Sequence, residues 1–175
     1  MLVEERAYGI YSLDEIRDRY EWYFPSASDR STPNVLFNGL NQRIHGSSTY
    51  LILKSKIETE LAKEVKIEIS ATRDSVSTTN TISGTIKNIS SSALSNLVIN
   101  GMTFKDRGQM GLKYCVADIF EEQKETVATL EPGESYSFSF SLDGFDWEGN
   151  NMHGVIFVQA PDSDKKEVFQ TFYID

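Results

Sequence analysis

The stretch RSTPNVLFNGLNQRIHG, residues 30–46, contains a proline, a short apolar run, an Asn-Gly pair and a return run closed by glycine. Proline lacks a backbone N–H and cannot donate to a ladder, so Pro33 belongs at the first residue of a strand. Asn34 to Phe37 reads as that strand. Asn38-Gly39 supplies positive φ at both central positions of a type I′ turn. Asn41 to His45 can then return as the second strand, and Gly46 ends it.

Working outward, both flanks read as helix. Ser12-Leu13-Asp14-Glu15 has the form of a capping box, in which the Ser12 hydroxyl accepts the Glu15 N–H and the Glu15 side chain reaches back. Leu13, Ile16, Tyr20 and Tyr23 follow at helical spacing, and Pro25 stops the helix before the polar loop 26–31. After Gly46, Ser47 or Ser48 can cap a second helix. In it Tyr50, Leu53, Ile57 and Leu61 share one face, as in an amphipathic helix.

From Glu64 onward the period changes to two. Val65, Ile67, Ile69 and Ala71 alternate with polar residues, and so do Ile82, Gly84 and Ile86. Leu97–Ile99 with Met102 and Phe104, then Tyr114–Phe120, continue the pattern. After the Glu131-Pro132-Gly133-Glu134 turn come Tyr136, Phe138, Phe140 and Leu142. Val155–Ala160 and Val168–Ile174 close the chain, joined by a hairpin loop at 161–166. Seven short strands with turn signals between most of them form the pattern of an immunoglobulin-like sandwich, here without the Cys…Trp…Cys landmark. The expected fold class is therefore an α+β N-terminal part, residues 1–63, followed by an all-β sandwich, residues 64–175.

Taken in order, Thr32-Pro33, the short strand, the Asn-Gly turn, the return strand, the glycine and the amphipathic helix resemble the C-terminal half of a thioredoxin-like domain. The resemblance implies that Pro33 is cis and that Thr32 presents its backbone to an extended peptide. Thr32 and Pro33 are thus the candidate peptide-binding residues. Lys87-Asn88-Ile89-Ser90, Leu130 to Ser135, Phe157-Val158-Gln159 and Lys166-Glu167-Val168 look like the immunoglobulin-like domain that follows a thioredoxin-like domain in some bacterial envelope and outer-membrane lipoproteins. That resemblance implies an envelope or secreted location. MLVEERAYGIY carries Glu4 and Glu5 where a signal peptide needs an apolar stretch, so the cytoplasm is the alternative.

One departure is decisive for chemistry. Disulfide exchange by these domains needs a Cys-x-x-Cys pair, one thiol attacking and the other resolving. This chain has a single cysteine, Cys115, and only about 11 residues before its first helix. The βαβ unit that carries the dithiol has no place in it. The family strand that would pair with 34–37 is missing too. An open apolar edge templates association, so that edge is expected to be covered by residues 2–11, by the sandwich, or by a second copy of the chain.

Composition narrows the rest. The formal net charge is −9, and no basic block appears, so nucleic acid and anionic lipid are poor partners for an acidic surface. No apolar run approaches the roughly 20 residues needed to span a bilayer. Cys115 sits in an apolar strand and reads as an inert core thiol. His45 and His153 lie far apart and lack metal-ligand spacing. Residues 143–150, DGFDWEGN, are acidic but lack the register of a calcium loop, and read as a solvated turn with Trp147 packed inward. Asn88-Ile89-Ser90 fits the N-glycosylation pattern. No catalytic residue, cofactor or metal is expected.

The expected function is that of a non-catalytic binding or scaffold protein, self-associating or taking a protein partner through the edge at 34–37. The alternative is the C-terminal part of a secreted thiol–disulfide oxidoreductase whose Cys-x-x-Cys half is missing, with Met1 an internal methionine. A third reading, a carbohydrate- or surface-binding sandwich, requires Tyr8, Tyr11, Trp22 or Trp147 to lie together on an exposed face.

Overall fold

A computed structural model describes residues 5–30, 32–74, 80–108, 113–142, 147–149 and 151–175. The protein is a mixed α+β structure dominated by strands. Helix α1 (Asp14–Tyr23), strands β1 (Asn34–Phe37) and β2 (Gln42–His45), and helix α2 (Tyr50–Leu61) come first. Eight strands follow: β3 (Ile67–Asp74), β4 (Thr81–Asn88), β5 (Leu94–Lys105), β6 (Cys115–Ile119), β7 (Glu125–Leu130), β8 (Ser135–Ser141), β9 (His153–Gln159) and β10 (Val168–Ile174).

These eight form two antiparallel sheets. One has the order β3-β4-β8. The other runs β10-β9-β5-β6, with β7 pairing the first half of β5 and β6 its second half. The sheets bury a common core in which Ile67, Ile82 and Phe140 meet Leu97, Ile99 and Ile156. Alternation explains the three-stranded sheet, where Phe138 and Phe140 point in and serines point out.

Strands β5 and β9 break the alternation. From Gly154 to Gln159 every residue of β9 is buried. A strand covered on both faces reads as a continuous apolar run, and α1 supplies the second cover. Ile16, 1% exposed, packs on the outer face of the larger sheet against Met102, Phe104, Val116, Val155 and Phe157. Fully burying an isoleucine contributes about 1.5–3 kcal/mol. The first helix therefore shares a core with the sandwich.

Several local expectations need correction. Ser12 does not cap α1: its hydroxyl donates to the Gly9 carbonyl at 2.8 Å, inside a turn where Tyr11 has φ +67°. The helix starts one residue later, with Leu13 at the N-cap. Neither Ser47 nor Ser48 caps α2. Thr49 does, its hydroxyl accepting the Ile52 N–H at 3.4 Å. Strand β7 was absent from the seven-strand reading because only Val127 and Leu130 of its six residues are buried, three apart rather than two. Strand β3 begins at Ile67, and Val65 is half exposed.

The largest correction concerns α2. None of its twelve residues is buried. Leu53, Lys56 and Glu60 are half-buried, while Tyr50, Ile57 and Leu61 remain exposed. Of the stripe read from the sequence, Leu53 turns part-way inward while Tyr50, Ile57 and Leu61 stay exposed, so the stripe does not seat on the core.

Candidate interaction surface

Strands β1 and β2 form an antiparallel two-stranded sheet with Asn34 opposite His45 and Phe37 opposite Gln42. Asn38 (φ +50°) and Gly39 (φ +75°) both adopt the left-handed backbone that Asn-Gly favours. The connection spans four residues, 38–41, rather than two. The extra length has a cause: the tip of this hairpin docks on the β9–β10 loop. Leu40 N–H donates to the Lys165 carbonyl at 2.6 Å, and the Asn41 amide donates to Glu167 Oε1 at 3.1 Å. Gly39 is buried, and a Cβ there would run into the Lys166 carbonyl.

Helix α1 is fastened to the same place. Gln159, 3% exposed, donates through Nε2 to the Tyr23 hydroxyl and to the Lys166 carbonyl, each at 2.7 Å. Arg19 donates to Gln159 Oε1 at 3.3 Å and to the Tyr23 hydroxyl at 3.1 Å, with its guanidinium over the Tyr23 and Phe157 rings. Burial raises the Tyr23 pKa; the Arg19 charge and the Gln159 hydrogen bond only partly offset it. The Lys166 ammonium donates to the Trp22 carbonyl and lies over the Trp22 ring, and burial lowers its pKa.

Helix α2 holds the other side of the hairpin. Glu60 Oε2 accepts from Asn38 at 3.1 Å and from Lys63 at 2.7 Å, and Oε1 accepts from Gln42 at 2.9 Å. Burial pushes this carboxyl up, but the hydrogen bonds from Lys63, Gln42 and Asn38 and the Lys63 charge outweigh it and hold the pKa below the usual carboxylate value.

Thr32 and Pro33 are exposed at the mouth of β1, joined by a cis peptide. Two arginines fix the loop leading to them. Arg30 donates to the Phe24 and Pro25 carbonyls and pairs with Glu21. Arg43 donates to the Asp29 carbonyl and to Asn34 Oδ1, and lies over the Phe24 ring. Gly46 N–H donates to the Pro33 carbonyl at 2.9 Å. Antiparallel pairs alternate, so Val35 and Phe37 bond toward β2 and the Leu36 backbone faces the other side. Among the described residues no strand pairs with β1 there.

A contrasting edge is closed by design. The outer side of β8 is bonded by side chains from the preceding turn and strand. Gln123 accepts the Ser141 N–H at 2.6 Å and donates to the Ser141 carbonyl at 3.0 Å, and Glu125 accepts the Ser139 N–H at 3.1 Å. This is protection of an exposed edge against strand addition.

The other sequence candidates separate. Cys115 is fully buried, its thiol turned to the Val116 carbonyl. Asn88 is fully buried, donating to the Ser92 and Leu130 carbonyls at 2.8 Å, so its side chain is closed to glycosylation. Trp147 packs in the core with Arg73 over its ring, while residues 143–146 and 150 of the acidic turn lie outside the described residues. Trp147, 3% exposed, is withdrawn from any exposed aromatic face, while Tyr8 contacts Tyr20, Tyr11 contacts Arg107 and Trp22 contacts Lys166.

Two features escaped the sequence. His153 has a carboxylate partner: its Nδ1 lies 3.0 Å from Asp175 Oδ1 and 2.6 Å from the Tyr173 hydroxyl, in a stack with Phe104. Strand pairing of β9 with β10 brings them together. A cleft of about 220 Å³ lies beside α1, lined by Glu15, Asp118, Glu121 and Glu122. Burial raises the Asp118 pKa, and Glu15 adds to it, against the Ile119 N–H bond. Among the described residues no group of three His, Cys, Asp or Glu side chains is placed to hold a metal ion, and no helix is long and apolar enough to cross a membrane.

No protein-family model matches this chain, and no curated protein matches it. Solved structures do. The chain is similar to HBP35 of Porphyromonas gingivalis, with a TM-score of 0.69 at 11% identity, over 91% of this chain and 57% of that one. It is also similar to protein AGR_C_4864 from Agrobacterium tumefaciens, with a TM-score of 0.58 at 12% identity, over 94% of this chain and 72% of that one. At these identities the likeness is one of fold. The chain spans 57% of the length of the HBP35 structure.

Proposed function

We propose that this chain is a non-catalytic binding or scaffold module of the cell envelope, a thioredoxin-like remnant without its dithiol joined to an immunoglobulin-like sandwich. The observation that carries this reading is the open side of β1 beside exposed Thr32 and Pro33, on a hairpin anchored at both faces and at its tip. A fixed strand with one side free of a strand neighbour among the described residues is suited to take an extended protein segment there, main chain to main chain. The single buried cysteine supports a role without redox chemistry.

The test uses short extended apolar peptides, screened for binding by fluorescence anisotropy. Leu36→Pro removes a donor on the open side and spares the bonds to β2. Peptides that bind the native chain and lose affinity to this variant support the reading. Absence of binding, or binding indifferent to the substitution, refutes it.

A second reading is that this is the C-terminal part of a secreted thiol–disulfide oxidoreductase; that the chain spans 57% of the HBP35 structure supports only that the fold can sit within a longer chain. The intact mass of the protein isolated from its source separates the two. A value near 19.8 kDa rules the second reading out. A larger mass, with Cys-x-x-Cys in the added segment, supports it.

A further inference from the structure

Helix α2 carries five large apolar residues in the open, Tyr50, Leu51, Ile52, Ile57 and Leu61. Tyr50 is 73% and Leu61 78% exposed. Most helical stability in proteins comes from packing an apolar stripe, and none of these five side chains is buried among the described residues. Tyr50, Lys54, Ile57 and Leu61 follow one another at spacings of four, three and four, the seam of a helix that pairs with another helix.

The charges decide which helix. Lys54 sits in this seam and Glu58 beside it, 52% and 63% exposed, and they meet each other at 3.5 Å. Two copies of α2 packed in parallel would set Lys54 against Lys54 and Glu58 against Glu58. Packed antiparallel, Tyr50 lies opposite Leu61 of the second copy and Lys54 opposite its Ile57, with the Lys54 ammonium beside its Glu58. The stem of Lys54 then covers apolar surface while its head pairs. The surface is complementary to itself under a two-fold rotation, which closes at two copies.

We infer that α2 is a homodimer interface, in which two copies of this chain pair their second helices antiparallel through Tyr50, Lys54, Ile57 and Leu61. This goes beyond the binding role of β1. It uses a different surface and can fail while that role stands.

Light scattering on the full chain tests it. The native protein runs at twice 19.8 kDa. The double variant Ile57→Glu, Leu61→Glu runs at the single-chain mass with its far-ultraviolet circular dichroism unchanged, since neither side chain is in the core. Lys54→Glu alone and Glu58→Lys alone each weaken dimerisation by about tenfold, because each acts at two symmetric pairs. Mixing those two single variants restores the dimer, as every pair across the interface is then opposite in sign although both helices keep their internal repulsion. A native chain that stays monomeric overturns the proposal. So does a dimer that survives Ile57→Glu, Leu61→Glu, or a mixture that fails to reassociate.

Discussion

Gln159 donates a 2.7 Å hydrogen bond to the Tyr23 hydroxyl, joining strand β9 to helix α1 across 136 residues of chain. The same amide nitrogen bonds the Lys166 carbonyl, and the amide oxygen takes Arg19. Removing the amide leaves three polar groups in a buried site without their partner. Gln159→Ala is expected to cost about 2–3 kcal/mol. Thermal unfolding and the fluorescence of Trp22, next to this clasp, report it together. A variant that melts within a degree or two of the native protein contradicts the assignment.

Gly39 is required twice over. Its φ of +75° strains any residue with a Cβ, and that Cβ meets the Lys166 carbonyl. Gly39→Ala is expected to lose more than about 1 kcal/mol from the left-handed backbone alone. The carbonyl contact also forces the hairpin tip off the loop. Faster hydrogen exchange at Leu40, whose amide bonds Lys165, is the specific sign. Unchanged exchange there would mean that the tip was never docked.

Two carboxyls give opposite pH dependences. The Glu60 pKa is lowered in the fold, so its contribution is present above the ordinary carboxylate value of 4.5 and is lost as pH falls through the lower folded value. The Asp118 pKa is raised, so its contribution is full below the ordinary value of 3.8 and is lost as pH rises through the folded one. Asp118→Asn keeps an acceptor for the Ile119 N–H and removes the repulsion with Glu15. It is expected to raise stability at pH 7 by a few tenths of a kcal/mol, up to about 1. Glu60→Gln should flatten the acid limb of the melting-temperature profile while leaving the neutral plateau lower. A profile identical to the native one in both variants contradicts these assignments.

Asn88 organises the turn after β4 from a fully buried position, accepting the Ser90 N–H and hydroxyl while donating to two carbonyls. Expressed in a glycosylating host, the chain should carry no glycan at Asn88, which mass spectrometry of the tryptic peptide decides. Asn88→Ala is expected to destabilise by about 2–3 kcal/mol, since four hydrogen-bonding groups lose their partner.

The hairpin was legible because its signals are local. A proline at a strand start and an Asn-Gly pair place β1, and the return strand, within a residue of their observed bounds. Alternating Phe138 and Phe140 likewise fix β8 without knowledge of its neighbours. Strand β7 was hidden because it packs through only Val127 and Leu130. Its existence depends on the first half of β5, thirty residues away, offering a free side. The cover of α1 over β9 did leave a mark, the unbroken apolar run 155–158, which alternation alone cannot produce. The pairing of His153 with Asp175 left none, since it arises from the β9–β10 register. Helix α2 misled for a different reason: periodicity reports that a helix has an apolar side, not that the same chain covers it.

The β9–β10 loop that receives Leu40, Asn41 and Trp22 has a consequence for biosynthesis. Chains leave the ribosome N-terminus first, and domains generally fold in that order. Here helix α1 and the hairpin dock on residues 159–167, which are made only after strands β3 to β8. During translation they wait undocked, with Tyr23 lacking its Gln159 partner and Leu40 its Lys165 carbonyl, until the ribosome has passed Glu167. Helix α1 and the β1–β2 hairpin are therefore locked in place only after strands β3 to β9, which follow them, have been made.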